Sequence, residues 1–396
     1  MDFAEFILAR EGDDLGRLAL ARDRYTGQVD DFDLALTTLE VRRKLRTKVP
    51  EWYAVPSLRY PLRLSGEQCS SSETARYKAT VALTACEGAA TRLADLTGGL
   101  GVDSWAFSRL FQEVLYNEMQ PVLADAARQN FRELERGNIL VRNAELVPQG
   151  LSDILGDFQP DILFLDPARR AADGRKVFRL EDCQPDVLQL LPELLAACPR
   201  LLLKLSPMAD ITLVCKQLAF VKEVHVVAAD GECKELLLLL ERGYSGPCGI
   251  TVSESGSTLS LDQAREGIGC DPTDGTDCLF EPGKALLKAG AFDLPCRYGL
   301  RKLEQHTHLY TGAEVPEALK PFGKSYQILE VVPLNNRSVK EMGKKYPRAE
   351  VTARNLPMTS DQLRAKLGVV SGGDIHFFGV KTDAQKHQLL VVRRED

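Results

Sequence analysis

The alternation of short apolar segments with helical segments over residues 77–245 limits the fold more than any other feature of this 396-residue chain. Repeats of this kind form α/β sheets in which helices connect parallel strands. The strands predicted from the apolar segments are, in chain order, 91–96, 113–117, 139–143, 162–165, 201–205, 224–228 and 235–240. Helical sequence separates the first six of them, whereas a few residues around Gly231 separate the last two.

The short gap at Gly231 determines the direction of the last strand. A parallel crossover needs about a dozen residues or more, so this gap forces the seventh strand to run antiparallel. Six strands in βα order followed by an antiparallel seventh is the arrangement of Rossmann-like methyltransferases, whereas a nicotinamide-binding sheet normally continues parallel. We therefore predict an α/β fold with a seven-stranded, methyltransferase-like sheet.

Three further regions flank the predicted sheet. Residues 1–66 have apolar positions at three- and four-residue spacing, which is typical of helices. Residues 246–323 begin with a stretch rich in Gly, Ser, Asp and Pro, and residues 324–396 follow the pattern strand, helix, strand, helix and two strands. The predicted organisation is a helical N-terminal region, the sheet domain at 67–245, and two small C-terminal domains, of which the last is α+β.

Composition narrows the class of protein. The chain is 44% hydrophobic and 27% charged, as in ordinary globular proteins, and its N-terminus lacks a signal-peptide pattern. Its apolar runs stay far below the roughly 20 residues needed to cross a bilayer, so we expect a cytoplasmic protein with no membrane partner. The ten cysteines show neither Cys-x-x-Cys nor Cys/His ligand spacing, so no metal site is predicted.

Charge is distributed unevenly along the chain. The net charge of −6 argues against a uniformly basic nucleic-acid-binding protein. Residues 324–396, however, contain 13 Lys and Arg against 8 Asp and Glu. This excess predicts either local contact with an anionic partner or an ordinary solvated surface.

A glycine-rich segment follows the first predicted strand and leads into helical sequence. It reads Asp95-Leu-Thr97-Gly98-Gly99-Leu-Gly101-Val-Asp103. Its glycines let the backbone approach a ligand closely, and free amides at the start of the helix can bind a carboxylate. Asp95 can accept a hydrogen bond from an ammonium group, which suits the amino-acid end of S-adenosylmethionine. A dinucleotide motif needs a third glycine where Ser104 stands, and a purely structural turn is the other alternative.

Conspicuous polar residues also follow the next three strands. Glu118 lies 23 residues after Asp95, a spacing at which an acid often binds ribose hydroxyls. Glu145 ends the third strand, and the segment 166–170, Asp-Pro-Ala-Arg-Arg, follows the fourth. Because ligands bind beyond the carboxyl ends of parallel strands, we expect these side chains to face one crevice. Lys204, in the fifth strand, either forms another wall of that crevice or extends to solvent.

These motifs resemble those of the Rossmann-type S-adenosylmethionine-dependent methyltransferases. Upstream, the segment 67–75, which contains Gln68, is similar to the cofactor-contacting segment of many RNA methyltransferases. Over nearly its full length the chain is similar to a bacterial methyltransferase family with a helical start, a catalytic domain, a ferredoxin-like insert and a C-terminal THUMP-like domain. The segments that carry this similarity are 72–78, 166–170, 204–208, 232–236, 288–292 and 354–357.

The resemblance implies a site for S-adenosyl-L-methionine. The methionine part would lie against the glycine segment, ribose against Glu118 and adenine against Glu145. The cofactor-binding residues implied are Gln68, Asp95, Thr97, Gly98, Gly99, Gly101, Asp103, Glu118, Glu145 and Asp166.

The resemblance also implies where the methyl acceptor lies. Asp166 and Pro167 would face the accepting atom, and Arg169 and Arg170 either pair with a phosphate or form structural ion pairs. THUMP domains bind RNA in tRNA-modifying enzymes, so the resemblance implies an RNA substrate held by the basic C-terminal domain. Direct in-line transfer to a nitrogen or an oxygen would then depend mainly on the alignment of the two substrates.

The acceptor atom stays open, because the fourth motif departs from known patterns. Base amino-group methylases often read Asn/Asp-Pro-Pro-Tyr/Phe, and here Ala168 and Arg169 replace the second proline and the aromatic residue. Asp-Pro-Ala-Arg is closer to uracil-C5 methylases, but those need a cysteine nucleophile after the fifth strand, and Cys183 is a poor substitute for it. Three functions compete: an RNA methyltransferase, a methyltransferase acting on a protein or small molecule, and a catalytically silent cofactor-binding scaffold.

Overall fold

The computed structural model describes residues 1–88, 91–169, 180–261, 277–382 and 387–395. Contacts divide the chain into two units, the first formed by residues 1–224 and 235–248, and the second by residues 225–234 and 249–396. Within the described residues, every helix is either too short or too polar to span a bilayer.

The first unit begins with a group of helices, as the spacing of apolar residues predicts. They are α1 (Phe3–Arg10), α2 (Leu15–Leu20), α3 (Arg22–Tyr25), α4 (Phe32–Lys48), α5 (Pro50–Tyr53) and α6 (Arg63–Gln68). Aspartates begin three of them, because the carboxylates of Asp2, Asp14 and Asp31 accept the free backbone N–H groups of the first turn. The rings of Phe6 and Phe32 pack edge to face, 6.2 Å apart, in the core of this group.

The predicted sheet and the helices that connect its strands follow; they belong to the first unit except for residues 225–234, which belong to the second. The helices are α7 (Ser72–Ala85), α8 (Val102–Phe107), α9 (Pro121–Glu133), α10 (Leu151–Leu155), α11 (Val187–Ala197) and α12 (Ile211–Gln217). The strands are β1 (Arg92–Asp95), β2 (Glu113–Asn117), β3 (Ile139–Arg142), β4 (Ile162–Leu165), β5 (Ala168–Arg169), β6 (Cys183–Gln184), β7 (Arg200–Leu205), β8 (Val221–Ala229) and β9 (Glu232–Glu241).

The strand order confirms the predicted methyltransferase-like topology. Seven of the nine strands in this sheet lie in the order β3-β2-β1-β4-β7-β9-β8, while β5 and β6 pair separately. β1 is parallel to β2 and β4, and β9 is antiparallel to β7, with Leu202 opposite Leu239. The turn between β8 and β9 consists of Asp230 and Gly231, which both have positive φ. Such a two-residue turn matches the twist of a hairpin and makes the last strand antiparallel.

The core of the sheet is apolar, with charged residues at defined places. All four residues of β4 are buried, as expected for a strand covered on both faces. β7 is buried along most of its length, with Lys204 only partly exposed near its carboxyl end. The carboxyl ends of β1, β2, β3, β4 and β7 lie at the same edge of the sheet because these strands are parallel.

The second unit contains small α+β structure. Its helices are α13 (Lys284–Ala289), α14 (Leu294–Arg297), α15 (Asn336–Lys345) and α16 (Ser360–Leu367). Its remaining strands are β10 (Gly249–Glu254), β11 (Ser257–Ser260), β12 (Cys278–Pro282), β13 (Arg301–Lys302), β14 (Tyr310–Gly312), β15 (Gly323–Pro333), β16 (Glu350–Arg354), β17 (Ile375–Lys381) and β18 (His387–Arg394). The last four strands and last two helices follow the predicted order. These strands belong to a seven-stranded sheet ordered β13-β14-β12-β15-β18-β17-β16.

This second sheet is apolar on both faces because successive residues of a strand point to opposite sides. In β17, Phe377 belongs to the cluster that contains the helix residues Val339 and Leu363. Its neighbour Phe378 belongs to a second cluster with Leu279. The two small C-terminal domains predicted from sequence therefore share one sheet.

Candidate functional site

A cavity of about 560 Å³ lies in the first unit, at the carboxyl ends of its parallel strands. This volume is in the range of small-molecule and cofactor sites. The residues that line it come from the loops after β1, β2, β3 and β4, from β7, and from the segment between α6 and α7. The cavity thus lies where the sequence predicts that the strand-end residues converge.

The glycine segment forms the floor of one end of the cavity, and two of its glycines have no room for a side chain. A Cβ atom on Gly98 would lie 2.1 Å from Cε2 of Tyr116. Gly101 has a φ of +96°, and a Cβ atom there would lie 2.7 Å from the Phe131 ring. These contacts hold the loop backbone against the aromatic residues beneath it and leave its upper surface for a ligand.

Glu118 anchors this loop from the neighbouring strand. One carboxylate oxygen accepts the N–H of Gly99 at 2.9 Å, and the other accepts the N–H of Gln120 at 2.8 Å. A carboxylate has about four acceptor positions, so Glu118 can still accept from a ligand hydroxyl. Asn117, which sequence reasoning missed, is fully buried and joins the ends of three strands through Leu96 and Ala144.

Asp95 lies beneath the loop and does not line the cavity. It is 1% exposed, and its carboxylate accepts from the Thr97 N–H at 3.1 Å and from the Ser104 hydroxyl at 2.6 Å. Burial raises the pKa of Asp95 to about 7, although the Ser104 hydrogen bond opposes that rise. Asp95 therefore fixes the shape of the loop from below.

The structure brings most of the predicted site residues together around the cavity. Those that line it are Gln68, Thr97, Gly98, Gly99, Gly101, Asp103, Glu118, Glu145 and Asp166. Pro167 is buried and lies outside the lining. Arg169 pairs through its backbone with Cys183 in the short β5–β6 ladder, and Arg170 lies outside the described residues.

An ion pair forms another part of the cavity wall. The Lys204 ammonium donates to Asp166 at 2.5 Å, and the Asp166 backbone N–H donates to the Thr97 hydroxyl at 2.7 Å. Lys204 also lies 4.0 Å from a carboxylate oxygen of Glu235. Burial opposes the charge on Lys204, but the carboxylates of Asp166 and Glu235 outweigh it and raise the pKa of Lys204 above its ordinary value.

Behind this pair, Lys78 connects Glu235 to Asp103. Lys78 is 0% exposed and donates to both carboxylate oxygens of Glu235, at 2.7 and 2.9 Å. It also donates to the Ser70 hydroxyl at 3.0 Å and lies 3.3 Å from Asp103, to which Ser70 in turn donates. The five charged residues joined in this way are called the ion cluster: Lys78, Asp103, Asp166, Lys204 and Glu235.

Sequence reasoning did not predict the ion cluster as a unit. Lys78 and Glu235 are 157 positions apart, and neither was predicted as a site residue. A signal was present, since both lie in segments that carry the family resemblance, 72–78 and 232–236, as does Lys204. Charged residues within otherwise apolar strands also indicate a buried polar contact, because such residues are rarely buried without a partner.

Acidic side chains grouped at a cavity can also bind a metal ion. Across the part of the chain that the structure describes, His, Cys, Asp and Glu residues form no group of three or more that could hold a metal ion. Asp103 and Asp166 are instead paired with lysines, and Glu118 accepts from two backbone amides.

Family models match two parts of the second unit. A ferredoxin-like domain matches residues 279–319, and a THUMP domain-like model matches residues 323–394. Among curated proteins, none matches the sequence.

Comparison with solved structures extends over the whole chain. A "putative methyltransferase" from Porphyromonas gingivalis W83 is 30% identical, with a TM-score of 0.85, and the match covers 100% of this chain and 98% of that one. The O-methyltransferase from Bacillus cereus, solved in complex with SAH, is 10% identical with a TM-score of 0.35, and the match covers 51% of this chain and 90% of that one. The family of this chain is assigned from its full-length similarity to the Porphyromonas protein.

Proposed function

The chain belongs to the same methyltransferase family as the Porphyromonas gingivalis protein, and we propose that it is a cytoplasmic, S-adenosylmethionine-dependent RNA methyltransferase. Its family carries ferredoxin-like and THUMP-like domains beside the Rossmann-type domain. The observation that carries the cofactor proposal is the charge of the cavity. Among the described residues that line it are four carboxyl side chains, Asp103, Glu118, Glu145 and Asp166, and one ammonium group, Lys204.

An acidic cavity favours a ligand with positive charges. S-adenosylmethionine carries a sulfonium and an ammonium group, whereas a dinucleotide carries phosphates that the carboxylates would repel. The close approach that Gly98 and Gly101 allow suits the methionine part of the cofactor. Glu118 is placed to accept from ribose hydroxyls, and Glu145, which is exposed at the cavity, to accept from adenine.

The bound cofactor would supply an electrophilic methyl group, and the residues of the chain would align the acceptor with it. Asp166 is fixed twice, by its backbone N–H on Thr97 and by the Lys204 ammonium on its carboxylate. A carboxylate held in this way can orient an acceptor and take its proton. Pro167 is buried next to Asp166. Arg169, from the same sequence motif, would pair with a phosphate of the substrate.

The RNA assignment has support from the second unit. The THUMP-like match covers residues 323–394, which contain 13 Lys and Arg against six Asp and Glu. Lys340 and Lys344 are exposed on α15, four residues apart and thus on one face of the helix, and Arg348 is exposed just beyond it. Exposed cations at this spacing suit phosphate contacts, which dominate the affinity of proteins for nucleic acids.

The test is calorimetry with S-adenosylmethionine, combined with transfer of a labelled methyl group to RNA from a strain that lacks the protein. We expect cofactor binding and labelled RNA. Asp166→Ala should abolish transfer and leave cofactor affinity largely intact, and loss of binding as well would show that the role given to Asp166 is wrong. Cofactor binding with label in protein or small molecules would favour the second class of substrate, and binding without transfer would favour a scaffold.

A second arm tests the basic helix. Lys340→Glu combined with Lys344→Glu should weaken RNA binding and flatten its dependence on salt, because fewer counterions are released. Lys320→Glu, at an exposed lysine that pairs with Glu317, is the control. Equal effects of the two changes would argue against RNA contact through α15.

A further inference from the structure

The part of the cavity formed by Lys204 and Asp166 is called the acceptor end. It presents an ammonium group and a carboxylate side by side. Lys204 and Asp166 both line the cavity, and their charged atoms are 2.5 Å apart. The partners behind them do not line it: Glu235 is 3% exposed and Lys78 is 0% exposed. The cation next to the acceptor is therefore built into the protein, held from the front by one carboxylate and from behind by another.

Such a cation discriminates between acceptor atoms. A nitrogen that attacks a methyl group gains positive charge, which a neighbouring ammonium destabilises. A hydroxyl oxygen must lose its proton as it attacks, and an ammonium stabilises the negative charge that develops there. The pair therefore suits a hydroxyl oxygen, because Asp166 can accept its proton and the Lys204 ammonium can stabilise the negative charge that develops.

Methylation at carbon is disfavoured by the state of the nearby thiols. At the C5 atom of uracil that reaction uses a thiolate nucleophile. Burial raises the pKa of Cys69, which lines the cavity, and raises that of Cys183 to about 11, which makes either thiolate harder to form.

We propose that the methyl acceptor is a hydroxyl oxygen, which in RNA is the ribose 2′-hydroxyl, and that Lys204 and Asp166 activate it together. The inference rests on the proposed function and names the acceptor atom within it. Within an RNA chain the 2′-hydroxyl is the hydroxyl that each internal nucleotide carries, and it is exposed for recognition by proteins.

The step balances without an oxidant or a reductant. The acceptor O–H bond breaks, and its proton passes to the Asp166 carboxylate, whose side chain is 35% exposed and can release it to solvent. The oxygen forms the new bond to the methyl carbon while the carbon–sulfur bond breaks and leaves its electron pair on sulfur. Lys204 keeps its proton and donates a hydrogen bond to the oxygen as charge develops.

Glu235 and Lys78 act as positioning residues. Glu235 lies behind Lys204 and helps to keep it charged, and Lys78 binds both oxygens of Glu235 and so fixes that carboxylate. Neither side chain lines the cavity, so their effect reaches the acceptor through Lys204.

The experiment uses the full-length protein, methyl-labelled S-adenosylmethionine and RNA from a strain that lacks the protein. The labelled RNA is hydrolysed in alkali, which cleaves each phosphodiester by attack of the adjacent 2′-hydroxyl. A 2′-O-methyl group blocks that cleavage, so we expect the label in alkali-stable dinucleotides. Label in mononucleotides would place the methyl group on a base and overturn this inference while the RNA function stands. Absence of label from RNA, with cofactor bound, would overturn the proposed function and the inference with it.

Variants of Lys204 test the mechanism. Lys204→Ala should lower the transfer rate at least about 100-fold, in the range of lost oxyanion stabilisation, with cofactor affinity changed less than about threefold. Lys204→Arg keeps the charge and should retain more activity than Lys204→Ala. Raising the pH should partly rescue Lys204→Ala, because it supplies the deprotonation that the cation otherwise assists. Equal rates in the alanine variant and the native protein would overturn the role of Lys204.

The pH profile of Glu235→Gln separates positioning from a merely structural role. Removal of one carboxylate beside Lys204 lowers the pKa of Lys204, so the alkaline limb of the rate profile should move toward neutral pH. A variant that lost stability but kept the position of that limb would contradict the positioning role.

Discussion

At one end of the cavity, backbone groups are held in place by packing and by single hydrogen bonds, and at the other end charged side chains hold one another. Gly98 and Gly101 lie against Tyr116 and Phe131, and Glu118 anchors the loop through two amides. The ion cluster at the acceptor end is held mainly through side chains, since four of its links are contacts between lysines and carboxylates.

This difference predicts different responses to mutation. The glycine end depends on shape, so a substitution there should act through fit. The ion cluster depends on charge balance, so removal of one member leaves another charge buried without compensation, which is costly in a medium of low polarity.

Lys78→Met should lower the free energy of unfolding by about 3–5 kcal/mol, because it removes both hydrogen bonds to the buried Glu235 carboxylate and leaves only the Lys204 ammonium, 4.0 Å away, to compensate its charge. The measurement is equilibrium unfolding in urea. Lys44→Met removes the lysine of an exposed pair with Glu67 and is the matched control, with an expected loss below about 1 kcal/mol. Equal losses in the two variants would show that the ion cluster behaves as a surface network.

Gly98→Ala should lower stability by about 1–3 kcal/mol through overpacking against Tyr116, and it should weaken cofactor binding because the loop must shift. Gly99→Ala is the control, because the nearest atom to its added Cβ is the Thr97 carbonyl oxygen at 4.0 Å and its cost is confined to the positive φ. Calorimetry and urea unfolding measure both effects. If Gly99→Ala were the more damaging change, conformation rather than space would control this end.

Asp95→Asn should change the dependence of stability on pH. The pKa of Asp95 is about 7 in the folded protein against an ordinary value of 3.8, so the folded state binds the proton more tightly. Native stability therefore falls as pH rises from about 4 to about 7, by roughly 1.4 kcal/mol per pH unit at most, and the asparagine variant lacks this fall. The free energy of unfolding of both proteins, measured at pH 5 and pH 6, checks the prediction. An equal change with pH in the native protein and in Asp95→Asn would mean that Asp95 is ionised in the folded protein at both pH values.

Glu118→Gln should weaken cofactor binding by about tenfold or less. The amide keeps one acceptor oxygen, but its NH₂ group then faces an N–H donor, and the loss of one hydrogen bond costs about 1 kcal/mol. Glu113→Gln, at the exposed start of β2, is the control and should leave binding unchanged. The rate of transfer from the saturated complex should remain native, since the Glu118 carboxylate binds the amides of Gly99 and Gln120 rather than the ion pair.

The sheet could be predicted well because its signals are local. The strands at 113–117 and 162–165 have the predicted bounds, and the short gap at Gly231 gives the antiparallel direction of β9. β8 and β9 each extend beyond the prediction, because pairing in a hairpin continues up to its two-residue turn. The two-residue strands β5 and β6 were not predicted, since two residues show no periodicity.

The candidate site divides in the same way. The glycine segment and Glu118 could be identified because their spacing along the chain reflects one strand-loop-helix unit. The ion cluster could not, because its contacts join α7, β7 and β9 and depend on the three-dimensional arrangement of the strands. A lysine in an amphipathic helix, such as Lys78, predicts a surface position unless its buried partner is known.

The position of β9 in the sheet has a consequence for the order in which the protein can fold during synthesis. β9 lies between β7 and β8, although both of these leave the ribosome before it. Until residues 232–241 have been made, that place in the sheet is empty and Lys78 lacks Glu235. Since closure of such long-range contacts is slow, the glycine loop can form early in synthesis, whereas the acceptor end is completed only after β9 has been translated. A nascent chain therefore acquires the means to hold a methyl donor before it acquires the means to use one.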